Sequence, residues 1–379
     1  MPGIYAAFDV FPSSKGASTH IAQFAKTLFE FTGGGTLCAL AGNFLPQEQT
    51  EGNTTIKRLR LRKAGYLQRA EAFSAFVQSQ ANQLSKLEVA HFRDIWGGLP
   101  LLHPKRKYAT VFEVNGLPSI ELPYRYPYLS QDFINKLKAR EIFCLKESDV
   151  IVTPSQVTAN YLASSGIDEN KITIIQNGAV IPESYPKPTH LPQKYIMYFG
   201  ALQPWQGVDV LLKAFAGLQD YEDLYLLICN AGSKRMAKPY KKLAEKLEIA
   251  DHVIWEQQLD QLDVWARLQH ATVSVAPLKE NSRNVTQGCS PLKILESLAC
   301  GTPVVATDLP VVKELMQEGI HGKLIPAERP AMLSRAIRFL LDYPEVLDKM
   351  RQDAIPHINN HFLWENKNKS LKAVYRKLL

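Results

Sequence analysis

Two charged side chains near the start of a short predicted helix have the types and spacing to bind a nucleoside diphosphate. Ser290 is a good helix N-cap, Pro291 suits the first helical position, and Gly301 is a helix stop before a predicted strand. A helix start offers free backbone N–H groups to an anion. Lys293 and Glu296 lie three residues apart and share a face. We expect the lysine to contact phosphate and the glutamate to accept hydrogen bonds from two ribose hydroxyls.

Strands and helices alternate on both sides of this segment, which predicts an α/β protein with parallel sheets covered on both faces. The first strand is expected at 4–8 and a helix after the loop 9–18. A long helix is expected at 66–87, whereas 48–63 has no clear periodicity. The proline-rich stretch 181–192 reads as a linker. We therefore predict domains at 1–182 and 193–355, and a C-terminal helix over 356–379.

The segment 290–308 resembles the donor-site signature of the family 4 retaining glycosyltransferases, also called glycosyl transferases group 1, which have the GT-B fold. Other segments match the family in the same order. They are 14–20 (a glycine loop), 89–94 (a His-x-His-Asp segment), 148–155 with 174–178 (a strand and a Pro-Asn-Gly turn), and 198–207 (the opening of the second domain).

The resemblance implies two Rossmann-like domains facing across a cleft, with the acceptor held by the first domain and the donor by the second. It also implies that the C-terminal helix crosses back onto the first domain. The expected catalytic residues are His91, Lys293 and Glu296. Expected donor contacts are Gly16, Gly200, Ala201, Gln206, Gln258, Gly288, Cys289, Ser290, Pro291, Leu292, Lys293 and Glu296. Expected acceptor contacts are Lys15, Arg93, Asp94, Glu113 and Asn115.

Several positions depart from the family pattern. Ala201 and Gln206 stand where the family has an arginine and a lysine that clamp the diphosphate, and Gly288 replaces the first of two glutamates. Arg93 stands at the second histidine of the His-x-His-Asp segment. Lys293 is the best substitute for the clamp, with Lys234, Arg235 and Arg283 as weaker ones. The departures keep a second hypothesis open, a non-catalytic partner subunit that binds a nucleotide sugar or glycan.

The function implied by the resemblance is sugar transfer from a nucleotide diphosphate sugar to a hydroxyl of a polysaccharide, glycolipid or small glycoside. The anomeric configuration is retained by a front-face mechanism that uses no metal and no cofactor besides the donor. A dehydrogenase or epimerase is a third hypothesis. It is disfavoured because no Gly-x-Gly-x-x-Gly follows either domain's first strand.

Composition limits the partners and the compartment. The chain of 379 residues carries 44 Lys plus Arg against 37 Asp plus Glu, a net charge of +7. This charge suits an anionic substrate or peripheral contact with an acidic membrane surface, and no aromatic–basic nucleic-acid module is seen. Five cysteines without a Cys-x-x-Cys pair favour the reducing cytoplasm. We expect neither a signal peptide nor a transmembrane helix.

Three smaller features each have a functional and a structural interpretation. Glu113 and Asn115 precede a turn and are either acceptor contacts or turn residues. The aromatic–basic cluster Tyr124–Tyr128 is either a sugar or headgroup site or a packed loop. Cys289 reads as a packing residue rather than a nucleophile. His357 and His361 have zinc-compatible spacing but no zinc motif around them, so no metal site is predicted.

Overall fold

The computed structural model describes residues 2–14, 16–42, 44–61, 64–84 and 86–379, which form two sheets flanked by helices. The elements of the first half are β1 (Gly3–Val10), α1 (Gly16–Thr32), β2 (Gly35–Leu40), β3 (Glu48–Glu51), β4 (Thr54–Leu59), α2 (Tyr66–Gln83), β5 (Val89–Phe92), α3 (Ile95–Leu101), β6 (Ala109–Glu113), α4 (Pro118–Arg125), α5 (Gln131–Glu147), β7 (Val150–Thr153), α6 (Gln156–Ser164) and β8 (Ile172–Ile174).

The second half repeats the alternation of strand and helix. Its elements are β9 (Lys194–Gly200), α7 (Val208–Phe215), β10 (Leu224–Asn230), α8 (Lys234–Lys246), β11 (Val253–Gln257), α9 (Gln261–Leu268), β12 (Val273–Ala276), α10 (Leu292–Ala299), β13 (Val304–Thr307), α11 (Pro310–Lys313), β14 (Gly322–Ile325), α12 (Pro330–Asp342), α13 (Pro344–His361) and α14 (Trp364–Leu378).

Both sheets have the doubly wound order of open α/β domains. The first runs β3-β4-β2-β1-β5-β6-β7-β8 and the second β11-β10-β9-β12-β13-β14. Every described pair is parallel except β3 with β4. Apolar runs fill the central strands, as in Tyr195–Phe199, because helices cover both sheet faces. The predicted α/β class with two Rossmann-like domains is confirmed.

The C-terminal segment differs from the single helix predicted over 356–379. α13 packs on α10 of the second domain, and the helix is then interrupted at Phe362–Leu363. There it forms a bridge to Ala179 before α14 packs on α1 of the first domain. Trp364, Leu371 and Tyr375 lie in one buried cluster with residues of β1 and α1. The predicted crossing back to the first domain is confirmed.

The stretch 48–63, for which no regular element was predicted, contains the hairpin β3–β4 at the edge of the first sheet. Its polar residues mask the strand pattern, because an edge strand keeps much of its surface in water. Arg58 is buried here, where its guanidinium donates to the carbonyl oxygens of Phe11 and Pro46. These bonds compensate for burying a charge, which the sequence pattern alone did not indicate.

Candidate functional site

Two helix N-termini, one from each domain, meet across the cleft. α1 begins at Gly16 and α10 at Leu292, and a Cβ atom on Gly16 would lie 2.9 Å from Leu292 Cδ1. A side chain at position 16 would therefore require the end of the Leu292 side chain to move. Because each helix start carries free N–H groups and a partial positive charge, the space between them favours an anion.

The start of α10 differs slightly from the prediction. Pro291, rather than Ser290, is the N-cap, and it makes no side-chain cap bond. The Ser290 hydroxyl instead accepts from the backbone N–H of Asn177, while Asn177 Nδ2 donates to the Ser290 carbonyl oxygen at 2.6 Å. Ser290 thus ties the start of α10 to the first domain, and the N–H groups of α10 are left without a serine cap.

Lys293 lies in the first turn of α10 and points its ammonium into the cleft. Its Nζ atom donates to Gln206 Oε1 at 2.6 Å and lies 4.1 Å from the centre of the Tyr198 ring. Gly200, with φ +122°, passes beneath it, and a Cβ there would lie 3.7 Å from Nζ. Burial lowers the pKa of Lys293 to about 7, despite the opposing influence of Cys289 and Glu296.

Glu296 lies one turn further along α10. Its carboxylate accepts a long hydrogen bond of 3.4 Å from Gln261 Nε2. Burial raises the pKa of Glu296 to about 7, against the lowering effects of Gln261 and Lys293. The two residues predicted to bind phosphate and ribose therefore share one half-buried wall, and both titrate near neutrality.

These groups line a cavity of about 780 Å³ between the domains, called here the larger cavity. It is lined by all the predicted donor contacts except one: Gly16, Gly200, Ala201, Gln206, Gln258, Cys289, Ser290, Pro291, Leu292, Lys293 and Glu296. The exception is Gly288, which is a correction. Its α-carbon faces α6, where a Cβ would lie 2.7 Å from Thr158 Oγ1. The predicted acceptor contact Lys15 lies outside the described residues.

The expected substitutes for the missing basic clamp differ in their placement. Lys293 and Arg283 line the larger cavity, whereas Lys234 and Arg235, at the exposed start of α8, do not. Arg283 Nε lies 3.3 Å from Glu121 Oε1 of the first domain, and the guanidinium lies 5.7 Å from the Trp205 ring centre. Of the four candidates, only Lys293 approaches Gly200 and Gln206.

A buried carboxylate lies behind the cavity. Glu113 accepts from Tyr5 Oη at 2.6 Å and from Arg93 at 2.8 Å, and lies 3.1 Å from His20 Nδ1 and 3.2 Å from His91 Nε2. Burial alone would raise the pKa of Glu113, but His20 and Arg93 hold it well below its usual value. Glu113 is 1% exposed and orients Arg93, so the expectation that it contacts an acceptor is not supported.

His91 requires a correction, because it does not reach the cleft. It is 0% exposed, and its Nδ1 atom lies 2.7 Å from the hydroxyl of Tyr375 on α14. His91 and Arg93 alternate with Phe92 at the end of β5, and Arg93 lies nearer the open end. Arg93, not His91, therefore lines the cavities, together with Asn115. The predicted contact between His91 and a sugar is wrong for this arrangement.

A second, smaller cavity of about 340 Å³ opens beside the first and shares Arg93, Asn115 and Arg283 with it. Its walls hold the aromatic residues Phe8, Tyr66, Trp96 and Trp205 and the charged residues Asp9, Arg69, Asp94, Glu121 and Arg125. Asp94 is the N-cap of α3 and accepts from the N–H groups of Phe8, Trp96 and Gly97. Burial raises the pKa of Asp94 to about 6. Its three backbone hydrogen bonds fix the position of the carboxylate in the cavity wall.

Sequence reasoning missed several polar residues of the larger cavity, and three of them are His20, Asn230 and Gln261. His20 is 2% exposed and belongs to α1, where it reads as an ordinary helical residue. Asn230 ends β10 and accepts from the N–H of Gly232 at 2.7 Å, which shapes the turn beside the cavity. A polar residue at the carboxyl end of a parallel strand is a signal that marks Asn230 in advance.

No described helix combines the length and apolar character needed to cross a membrane. Within the described ranges, no group of three or more His, Cys, Asp or Glu residues is arranged to hold a metal ion. All five cysteines are buried and unpaired, and burial raises the pKa of Cys289.

Comparisons with known proteins agree with this architecture. Residues 14–181 match the model described as Glycosyltransferase Family 4, and residues 181–357 match Glycosyl transferases group 1. The D-inositol 3-phosphate glycosyltransferase of Corynebacterium efficiens is 26% identical over 75% of this chain and 66% of that protein. The mannosyltransferase LpcC of Rhizobium leguminosarum bv. viciae, of lipopolysaccharide core biosynthesis, is 25% identical over 62% of this chain and 66% of its own length.

Solved structures share the fold at low sequence identity. Sucrose-phosphate synthase from Thermosynechococcus elongatus superposes with a TM-score of 0.82 at 18% identity, covering 100% of this chain and 99% of that one. Anabaena HepE in complex with UDP-glucose gives a TM-score of 0.77 at 15% identity, with both chains fully covered. Since the two family models together span residues 14–357, the chain belongs to the family 4 (group 1) glycosyltransferases and has the GT-B fold.

Proposed function

We propose that this protein transfers a sugar from a nucleoside diphosphate sugar to a hydroxyl of a glycan, lipid-linked or small acceptor, with retention of anomeric configuration. One observation carries the proposal: Lys293 and Glu296 lie beside two facing helix starts in one cavity of about 780 Å³. HepE, of the same fold, is described in complex with UDP-glucose, which supports a nucleotide sugar as the donor.

Lys293 and the N–H groups of α1 and α10 would stabilise the diphosphate as negative charge develops on it. Glu296 would accept the ribose hydroxyls. The bond between the anomeric carbon and the diphosphate oxygen breaks, and the acceptor oxygen bonds to the same face of the sugar. The acceptor proton passes to the departing diphosphate. Because Lys293 and the helix ends already supply positive charge, we propose that transfer needs no added metal ion, which an assay with a chelator tests.

Arg93 and Asn115 line both cavities, so the two cavities meet at these residues. This supports a separate role for each cavity. We infer that the donor occupies the larger cavity, that the acceptor enters the smaller one, and that the transferred sugar lies where the two meet. Arg93 would then contact the reacting sugar or its acceptor. Glu113 would act as a positioning residue, because it holds the Arg93 guanidinium.

Thermal stabilisation by a panel of nucleoside diphosphates and their sugars tests the donor site. We expect one base to raise the melting temperature of the wild type, with a smaller rise for Lys293→Ala and Glu296→Ala. A ligand at about 100 times its Kd adds about 2.7 kcal/mol of stability. No shift with any nucleotide would contradict the proposal. NMR of the product would then distinguish retention from inversion at the anomeric carbon.

A non-catalytic nucleotide-sugar or glycan-binding subunit is the second candidate, favoured by Ala201, Gln206 and Gly288 at positions where the family has charged groups. Nucleotide binding without turnover by any tested acceptor would support it. Measurable transfer that disappears in Glu296→Ala would support the enzyme.

We also propose peripheral contact with an acidic membrane surface on the cytoplasmic side. The net charge is +7, and the exposed face of α8 carries Lys234, Arg235, Lys238, Lys241, Lys242 and Lys246. Co-sedimentation with vesicles containing anionic lipid tests this, and reversal of three α8 charges to glutamate is expected to abolish it. Equal binding to neutral vesicles would contradict it.

A further inference from the structure

The charges that line the smaller cavity are unequally neutralised. The Asp94 carboxylate accepts hydrogen bonds from three backbone N–H groups, and Glu121 forms an ion pair with Arg283 at 3.3 Å. Arg93 pairs with Glu113 at 2.8 Å and lies 3.7 Å from Asp9. These contacts account for the acidic residues of the cavity wall and for two of its four arginines.

The other two arginines, Arg69 of α2 and Arg125 at the end of α4, form no ion pair with any described carboxylate. Arg69 lies with its guanidinium 5.9 Å from the Phe8 ring centre, and its Nε atom is buried with no hydrogen-bond partner in the described part of the chain. A buried guanidinium N–H without a partner is costly. The wall of the smaller cavity therefore carries two guanidinium groups whose charge no described carboxylate neutralises.

Tyr66 provides a third donor on the same wall. Trp96 Nε1 donates to the Tyr66 hydroxyl oxygen at 3.0 Å, which leaves the hydroxyl hydrogen to be donated elsewhere. Tyr66 and Arg69 are three residues apart and share a face of α2. The wall thus combines two unpaired cations and a hydroxyl with aromatic surfaces that suit a sugar or cyclitol ring.

We propose that the acceptor carries a phosphate group, and that Arg69 and Arg125 bind this group in the smaller cavity. The inference rests on the proposed function, in which this cavity holds the acceptor. Guanidinium groups match phosphate oxygens through paired N–H donors, so two arginines on different helices bind a dianion better than a neutral hydroxyl group. The rest of the acceptor packs between the aromatic rings, with its reactive hydroxyl toward Arg93 and Asn115.

Calorimetric titration tests the site directly, with glucose 6-phosphate, glucose, glucuronate and inorganic phosphate as probes. Each titration is run with and without saturating UDP, because UDP keeps the probe out of the larger cavity. The variants are Arg69→Gln and Arg125→Gln, with Arg69→Lys to preserve the charge. Arg140→Gln is the matched control, because Arg140 is an exposed arginine of α5 that does not line either cavity.

We expect glucose 6-phosphate to bind at least about 10-fold more tightly than glucose, and each glutamine variant to lose about 10-fold or more of that affinity. Arg69→Lys should retain part of it and Arg140→Gln all of it. Equal affinity for glucose and glucose 6-phosphate, no binding of any phosphorylated probe, or equal losses in Arg140→Gln would overturn the proposal. Preferential binding of glucuronate would overturn phosphate in favour of a carboxylate.

The two proposals fail separately. If UDP binds but the Arg69 and Arg125 variants behave as wild type, the phosphate site is wrong and sugar transfer survives. If phosphate binding depends on these arginines while no nucleotide binds, the phosphate site stands and the transfer proposal fails.

Discussion

Lys293 donates a hydrogen bond of 2.6 Å to Gln206, the residue that stands where the family has a second basic group. A lysine at 206 would place two ammonium groups at this distance. The glutamine instead accepts a hydrogen bond from Lys293 and holds its ammonium group next to Gly200, facing the larger cavity. The residue that replaces the family's second basic group, Gln206, thus positions the ammonium group of Lys293.

Replacing Lys293 with alanine should weaken nucleoside diphosphate binding by about 10- to 100-fold, because a hydrogen bond to a charged group contributes about 1.5–3 kcal/mol. Calorimetry with UDP measures this. Lys242→Ala, which removes an exposed lysine of α8 from the same domain, is the control and should bind as wild type. Equal losses in both variants would indicate a general charge effect instead of a specific contact.

Nucleoside diphosphate affinity should be greatest near pH 7 and fall on both sides. Below this pH Glu296, with its pKa raised to about 7, gains a proton and stops accepting from ribose; above it Lys293, with its pKa lowered to about 7, loses its charge. Affinities measured from pH 5.5 to 8.5 should show both limbs. Glu296→Gln should flatten the acid limb alone, and an unchanged profile would refute its assignment.

The same two groups shape the stability of the ligand-free protein in the opposite sense. The folded state holds a proton on Glu296 that the unfolded chain releases above about pH 4.3, so its contribution falls as pH rises to about 7. The unfolded chain holds a proton on Lys293 up to about pH 10.4, so stability recovers between about pH 7 and pH 10.4. Urea unfolding across this range should show the minimum, and Lys293→Met should remove the rise.

Glu113→Gln should destabilise the protein by about 3–5 kcal/mol at pH 7, because it leaves the Arg93 guanidinium buried without its carboxylate. Since the pKa of Glu113 is held below its usual value, its stabilising contribution is present above about pH 4.3 and is lost as pH falls. Urea unfolding measures both effects. Glu147→Gln, on the exposed end of α5, should change stability by less than about 0.5 kcal/mol. Similar values for the two variants would contradict the role given to Glu113.

Gly288→Ala should be more damaging than a substitution at another glycine with positive φ. Position 288 has φ +80°, and a Cβ would lie 2.8 Å from Ser155 Oγ and 2.9 Å from the Thr158 nitrogen. Gly319, with φ +77°, has open space around it. Backbone strain of about 1–3 kcal/mol is common to both, so the excess loss of Tm in Gly288→Ala reports the contact with α6. Equal losses would show that the contact yields freely.

Chain-local patterns predicted most of the fold. The strand before Gly200 and the helix between Ser290 and Gly301 follow from apolar runs, caps and breakers, and the structure has them within one or two residues. The hairpin at 48–59 was missed because its outer strand, β3, lies at the sheet edge and both of its strands carry polar residues. The break at Phe362–Leu363 was missed because both flanking segments have helical sequences.

The candidate site was only partly predictable, since long-range contacts decide which residue faces it. His91 and Arg93 both match the family segment, but Tyr375, 284 positions along the chain, covers His91 and leaves Arg93 at the cavities. Gly288 turns toward α6 because of its backbone angles, which no local pattern indicates. In contrast, Lys293 and Glu296 share a face because they share one helix, and their joint placement followed from spacing alone.

The crossing of α14 onto α1 also sets an order of events during synthesis. Trp364, Leu371 and Tyr375 pack among side chains of β1 and α1, which leave the ribosome nearly the whole chain length earlier. At about 5–20 residues per second, the first domain waits roughly 10–40 s after its own last strand before these rings arrive. Until then α14 does not cover Phe24 and His91. The first domain is therefore synthesised first, but its core is completed only after the second domain has been made.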